Sequence, residues 1–198
     1  ALSEGFLVPK SVIVSNNEEL IHSLEKLRYP IIIKPLVRTE AWDQKNKYIK
    51  GVSLNCATDL DAYPFDLFVM CDRYIVQEWI EGGDDQIYFC LVYFDKDGKE
   101  RASFTGKKLL QWPLDNGSTS ICQSFSDERL SLVTHDVLSS AGLVGLGSLE
   151  FKYSQKYDQY FLIEPTVGRN DHQSYIAVCA GLNISKIALD DLRELNEF

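Results

Sequence analysis

The chain reads as an α+β protein with largely antiparallel sheets. Two observations predict this class. Helical periodicity is confined to short blocks, near residues 17–27, 127–141 and the last twenty-five residues, with extended segments between them. Two pairs of strand-like segments are also joined by turn-like links: 86–94 to 99–110 through Asp95-Lys-Asp-Gly98, and 147–153 to 160–169 through the polar stretch 154–159.

The elements follow in order. Residues 10–14, Lys-Ser-Val-Ile-Val, are a strand, and Ser15 or Asn16 caps the helix after it. Leu20, Ile21, Leu24 and Leu27 give that helix an apolar face, and Tyr29-Pro30 stops it. Ile31-Ile-Ile-Lys34-Pro35 is a buried strand whose alternation puts Ile32 and Lys34 on one face. Residues 36–50 carry Arg38, Lys45, Lys47 and Lys50 and no glycine, and read as a basic loop or irregular hairpin. A short strand over 51–55 and a short helix from Thr58, interrupted near Pro64, follow. Arg73 to Ile80 is a strong strand leading into Gly82-Gly83. After the first hairpin, residues 111–119 are a loop and 120–125 a short strand. A helix over 127–141 precedes the second hairpin, and helices over 173–180 and 184–195 end the chain.

Composition narrows the function. A net charge of −9 argues against a general nucleic-acid binder, which needs a basic footprint. No apolar run has membrane length, so no membrane partner is expected. The five cysteines form no CxxC pair, which predicts reduced thiols and a cytoplasmic protein. The three histidines lack zinc spacing. Neither G-x-G-x-x-G nor a P-loop occurs, and the H-R-D and D-F-G signatures of protein kinases are missing.

Three features converge on a nucleoside triphosphate. Lys34 ends a buried strand and can meet an anion. Gln77-Glu78-Trp79-Ile80 leads into a Gly-Gly turn, where backbone groups can pair with an adenine edge while Trp79 or Ile80 packs on the ring. The last hairpin, folded about Tyr157, sets Glu150 beside Glu164. Opposed carboxylates repel unless a proton or cation lies between them, and Mg²⁺ beside phosphate is a hard-oxygen solution. Lys107 or Lys108 could neutralise phosphate.

These segments, over nearly the whole chain, resemble the ATP-grasp superfamily of carboxylate–amine and carboxylate–thiol ligases. Within it, Phe-Thr-Gly-Lys-Lys108 and Glu164-Pro-Thr-Val-Gly-Arg169 look most like the D-aspartate ligase and carbamoyl-phosphate synthase branches. The resemblance implies the ATP-grasp fold over 1–198: two α+β lobes, approximately 9–80 and 81–198, with ATP between them. It implies that Lys34 reaches the α/β phosphates and that Glu78 and Ile80 read adenine through the backbone, beside Trp79. Asp85 would take the ribose hydroxyls, and Lys107 and Lys108 would lie near the acyl-phosphate site. Glu150 and Glu164 would be the magnesium carboxylates, with Thr166 at a third ligand position and Mn²⁺ as a substitute metal. Arg169 would steady the tetrahedral intermediate. The implied partners are a small-molecule carboxylate and an amine.

The sequence departs from the family at named places. Thr166 stands where the family has asparagine, Arg169 is displaced by one residue with Asn170 beside it, and the 36–50 loop has no glycine. The family's upstream domain is not in this chain, which implies a longer protein. These departures define the alternative, a non-catalytic ATP-grasp-like domain that binds nucleotide or a partner.

Overall fold

A computed structural model describes residues 6–47, 49–63, 66–115, 117–169 and 171–195, without the side chains of 194 and 195. Pro64 and Asn170 lie outside the described residues. The chain divides into two compact units: Pro9–Glu81 with Asp115–Gly117, and Ala1–Val8, Gly82–Leu114 and Ser118–Phe198 together.

The unit around Pro9–Glu81 holds a four-stranded antiparallel sheet. Its strands are β1 (Ser11–Val14), β2 (Ile31–Pro35), β3 (Val52–Leu54) and β4 (Tyr74–Glu78), in the order β1-β4-β2-β3. Helix α1 (Asn17–Lys26) starts at Asn16, whose Oδ1 accepts from the Glu19 N–H at 2.9 Å, and carries acids in its first turn. Its Leu20 and Leu24 pack with Leu27, Ile31, Ile33, Tyr74 and Val76 into one core. The β-branched run Ile31-Ile-Ile33 therefore buries both faces of a central strand.

Residues 36–50 are not the loop or hairpin expected of them. Helix α2 (Glu40–Lys45) forms there, capped by Thr39, whose Oγ1 accepts from Trp42 N–H at 3.1 Å. Trp42 is fully buried, and its indole donates to the Ile49 carbonyl at 2.9 Å. One aromatic anchor outweighs the surrounding basic residues. A 3₁₀ turn over Ala57–Leu60 and helix α3 (Leu67–Met70), the latter not foreseen, complete this unit.

The second unit is built on a five-stranded antiparallel sheet of order β7-β6-β5-β8-β9. These are β5 (Ile87–Phe94), β6 (Glu100–Trp112), β7 (Ser118–Ser124), β8 (Gly145–Ser154) and β9 (Gln159–Val167). Every residue of β5 is buried, because β5 is central and both faces are covered. Tyr88, Cys90, Val92 and Phe94 pack with Leu130 and Leu138 of α4 (Glu128–Ser140). Phe89, Leu91 and Tyr93 pack with Ala177 of α5 (Ser174–Cys179) and Ile184 and Ala188 of α6 (Ile184–Leu195). Asp127 caps α4 by accepting from Arg129 N–H at 2.9 Å, and also accepts from the Arg129 guanidinium and the Tyr160 hydroxyl. These donors hold its carboxyl below the usual range, the Arg129 side chain contributing most. Burial raises the Cys90 thiol to about 12 and keeps it protonated. Among the described residues, no helix is long and apolar enough to cross a membrane.

Candidate functional site

In the first unit, strand alternation puts Ile31 and Ile33 on the core face and Ile32 and Lys34 on the other. Lys34 is half-buried, and its Nζ donates to Gln77 Oε1 at 3.5 Å. Glu78 lies opposite Ile31, so its side chain belongs to the face away from Lys34. There it is buried, and it accepts from Arg28 through the backbone N–H at 3.1 Å, Nε at 3.5 Å and Nη2 at 3.0 Å. Its own N–H donates to the Lys10 carbonyl, and Trp79 N–H to the Pro30 carbonyl. Arg28 and the sheet thus fix the end of β4. Trp79 and Ile80, just beyond it, are half-buried.

In the second unit, the last hairpin places Glu150 directly opposite Glu164. Residues so paired share a face, with Cβ atoms about 5 Å apart. The pairing arises differently from a fold about Tyr157. The hairpin closes one residue tighter, with Ser154 opposite Gln159, and Asp158 takes a left-handed φ of 51° in the turn. A bulge then shifts the register: Phe151 faces Leu162, Glu150 faces Glu164, and Ile163 is the extra residue. Thr166 lies opposite Ser148, on the same face.

Glu150 is buried, and both its oxygens are engaged. Lys108 Nζ donates to Oε2 at 2.8 Å and Gln173 Nε2 to Oε1 at 2.8 Å. The network extends outward on both sides. Lys108 also reaches Gln111 Oε1 at 3.4 Å, and Gln111 donates from its side chain and backbone to Asp84 at 2.8 and 2.7 Å. Gln173 Nε2 also reaches Thr119 Oγ1 at 3.0 Å. Close packing supports this face. Phe89, opposite both Glu150 and Gly106, lays its ring across Gly106, where an added Cβ would stand 2.2 Å from Cζ. On the same face, Lys152 donates to the Gly82 and Gly83 carbonyls at 2.7 Å each and pins that turn.

No family model matches the sequence. A D-aspartate ligase of Enterococcus faecium (strain Aus0004) is 24% identical over 119 residues, 59% of this chain and 28% of that protein. The structure is similar to a biotin carboxylase–β-γ-ATP complex from Campylobacter jejuni, with a TM-score of 0.69 and 14% identity over 95% of this chain and 43% of that one. It is also similar to an N5-carboxyaminoimidazole synthetase from Staphylococcus aureus complexed with ADP, at a TM-score of 0.66, 13% identity, 89% of this chain and 44% of that one. A D-alanine-D-alanine ligase from Coxiella burnetii gives 0.61 and 15%, over 99% of this chain and 56% of that one. The chain has the ATP-grasp fold. It spans less than two thirds of each of these proteins.

Within this ATP-grasp fold, Lys108, Glu150, Glu164 and Thr166 are brought onto one face of the second sheet. Lys107 is not among them. Strand alternation turns it to the opposite face, where its Nζ sits 5.3 Å from the centre of the Tyr88 ring. Asp85 is exposed and accepts from Gln86 Nε2 at 3.3 Å, whereas its neighbour Asp84 is buried in the network. Arg169 is exposed on the bend after β9, just past Gly168, whose φ is 77°. Asp84 and Gln173 carry no signal in the sequence, since each sits in a turn with no motif around it. Among the described residues, no three His, Cys, Asp or Glu side chains gather as a metal cluster.

Proposed function

We propose that the chain is the ATP-binding part of a Mg²⁺-dependent, ADP-forming ligase that activates a small-molecule carboxylate as an acyl phosphate for attack by an amine. The observation that carries this reading is the Glu150–Glu164 pair with Lys108 on Glu150. Two carboxylates held opposite each other are stable with a cation between them, and their hard oxygens suit Mg²⁺. Although both Glu150 oxygens are engaged, each carboxylate oxygen offers more than one lone pair. The donor set therefore fits Mg²⁺, with Glu150 and Glu164 as ligands and the Thr166 hydroxyl on the same face. When bound, the ion would supply charge neutralisation on the transferring phosphoryl group.

The roles of the remaining residues follow from their chemistry. The sheet consumes the Glu78 and Trp79 N–H groups, which leaves the Glu78 carbonyl and Ile80 N–H to read adenine. Trp79 supplies ring area, Asp85 takes the ribose hydroxyls, and Lys34 binds the α/β phosphates. Lys108 neutralises the γ-phosphoryl group as the substrate carboxylate attacks phosphorus; that O–P bond forms as the bond to ADP breaks. The amine then attacks the acyl carbon, the C–N bond forms, phosphate departs and the amine loses a proton. Arg169 stabilises the oxyanion of that step.

Mg-ATP at a hundred times its Kd should stabilise the folded chain by about 2.7 kcal/mol. For a chain of this size that is roughly 5–10 °C in Tm. An unmoved melting curve in a folded sample would refute any nucleotide role. Glu164→Gln should retain the fold and lose metal-dependent ADP release.

A further inference from the structure

Glu150 is not simply available to a metal. It is 7% exposed, Lys108 is 2% exposed, and their 2.8 Å ion pair is buried. Gln173, 3% exposed, holds the other carboxylate oxygen. A divalent ion arriving alone would share this carboxylate with an ammonium already on it, and two cations so close repel strongly where little water screens them. Lys108 has little reason to leave by itself. Its other partner here, Gln111 Oε1, is neutral and distant at 3.4 Å. Only a competing anion makes its departure favourable, and a polyphosphate is such an anion. The Gln173 amide adds a second sign of an incoming ligand. Its Oε1 is buried and has no hydrogen-bond partner among the described residues. An open acceptor beside the carboxylate suits a donor such as a water carried in by the ion.

We propose that Lys108, with Gln173, keeps Glu150 closed to divalent cations until nucleotide phosphate draws the ammonium away. The role rests on the ATP reading above and adds to it: metal and nucleotide bind with positive coupling, and Lys108 is the coupling element. Without nucleotide, Glu150 stays neutralised by the Lys108 side chain. With nucleotide, the same lysine changes partner and the carboxylate becomes a ligand.

The test is Mn²⁺ titration of the nucleotide-free protein, followed by the paramagnetic resonance signal of free Mn²⁺. Wild type should bind Mn²⁺ weakly. Lys108→Met should bind it at least about tenfold more tightly, equivalent to roughly 1.4 kcal/mol. Lys108→Arg, which keeps the cation, should behave as wild type. Equal Mn²⁺ affinity in wild type and Lys108→Met overturns the proposal. Should Lys108→Met not fold, wild-type melting decides. Millimolar Mn²⁺ alone should leave Tm unchanged, whereas Mn²⁺ with ATP should raise it beyond ATP with chelator. Stabilisation by Mn²⁺ alone as large as with ATP overturns the closure. ATP with no effect in any arm overturns the ligase reading itself, a distinct result.

Discussion

Replacing Gly106 by alanine probes whether the packing under Glu150 is as tight as the geometry implies. The new methyl would lie 2.2, 2.6 and 2.9 Å from Phe89 Cζ, Cε2 and Cε1, all far inside van der Waals contact. Phe89 is fully buried between β6 and β8, so its ring cannot swing away freely. Overpacking of this kind costs about 2–3 kcal/mol. For a chain of this length that is roughly 4–12 °C in Tm, if the two units melt together. Phe89 also faces Glu150 in register, so a displaced ring should disturb the carboxylate and weaken Mn²⁺-ATP binding as well. The assay is urea and thermal unfolding of Gly106→Ala, Phe89→Leu and the double variant. Shortening the ring should recover part of the loss, with a coupling of about 1 kcal/mol or more. Strictly additive effects, or a Gly106→Ala protein as stable as wild type, would refute the close-approach argument.

Two further outcomes are expected. Arg28→Ala leaves the buried Glu78 carboxylate with the residue-28 N–H alone. Because the guanidinium is mostly exposed, the stability loss should be only about 1 kcal/mol, but ATP affinity measured by calorimetry should fall. A variant with unchanged ATP affinity would show that this pair does not hold the end of β4. Asp127 has its folded pKa lowered, so its stabilisation is complete above its unfolded value of about 3.9 and is lost as pH falls through the lower folded value. Asp127→Asn should flatten the urea midpoint over that acid window, and an unaltered acid limb would discount the cap.

The strands of both sheets could be read from sequence because their signals are local. Ile31-Ile-Ile33 and the run Ile87–Phe94 declare burial by composition, and Asp95-Lys-Asp-Gly98 declares its turn. Helix α2 could not be read this way. Its only anchor is Trp42, whose pocket is made by residues remote in sequence. The candidate site is partly legible in the sequence. Glu150 and Lys108 sit in patterned strands, so their faces follow from alternation, whereas the face of Glu164 depends on the bulge at Ile163. Lys107, adjacent to Lys108, shows the limit of a paired-lysine signal: neighbours on a strand point oppositely. Gln173 and Asp84 became visible only through tertiary contacts, since an amide or acid in a turn carries no periodic signature.

The bulge at Ile163 makes the second hairpin sensitive to length more than to identity. Beyond it, Glu164 and Thr166 keep their face only because β9 carries one surplus residue. In an unbulged ladder continuing from Phe151–Leu162, Glu164 would lie opposite Leu149 and turn toward the hydrophobic side under α4. Loss of a single codon could therefore separate the two carboxylates while leaving both glutamates in the sequence. A substitution scan would never sample that lesion. In a diverging lineage, the residue count between Phe151 and Glu164 says as much about whether the two carboxylates can meet as the presence of the glutamates themselves.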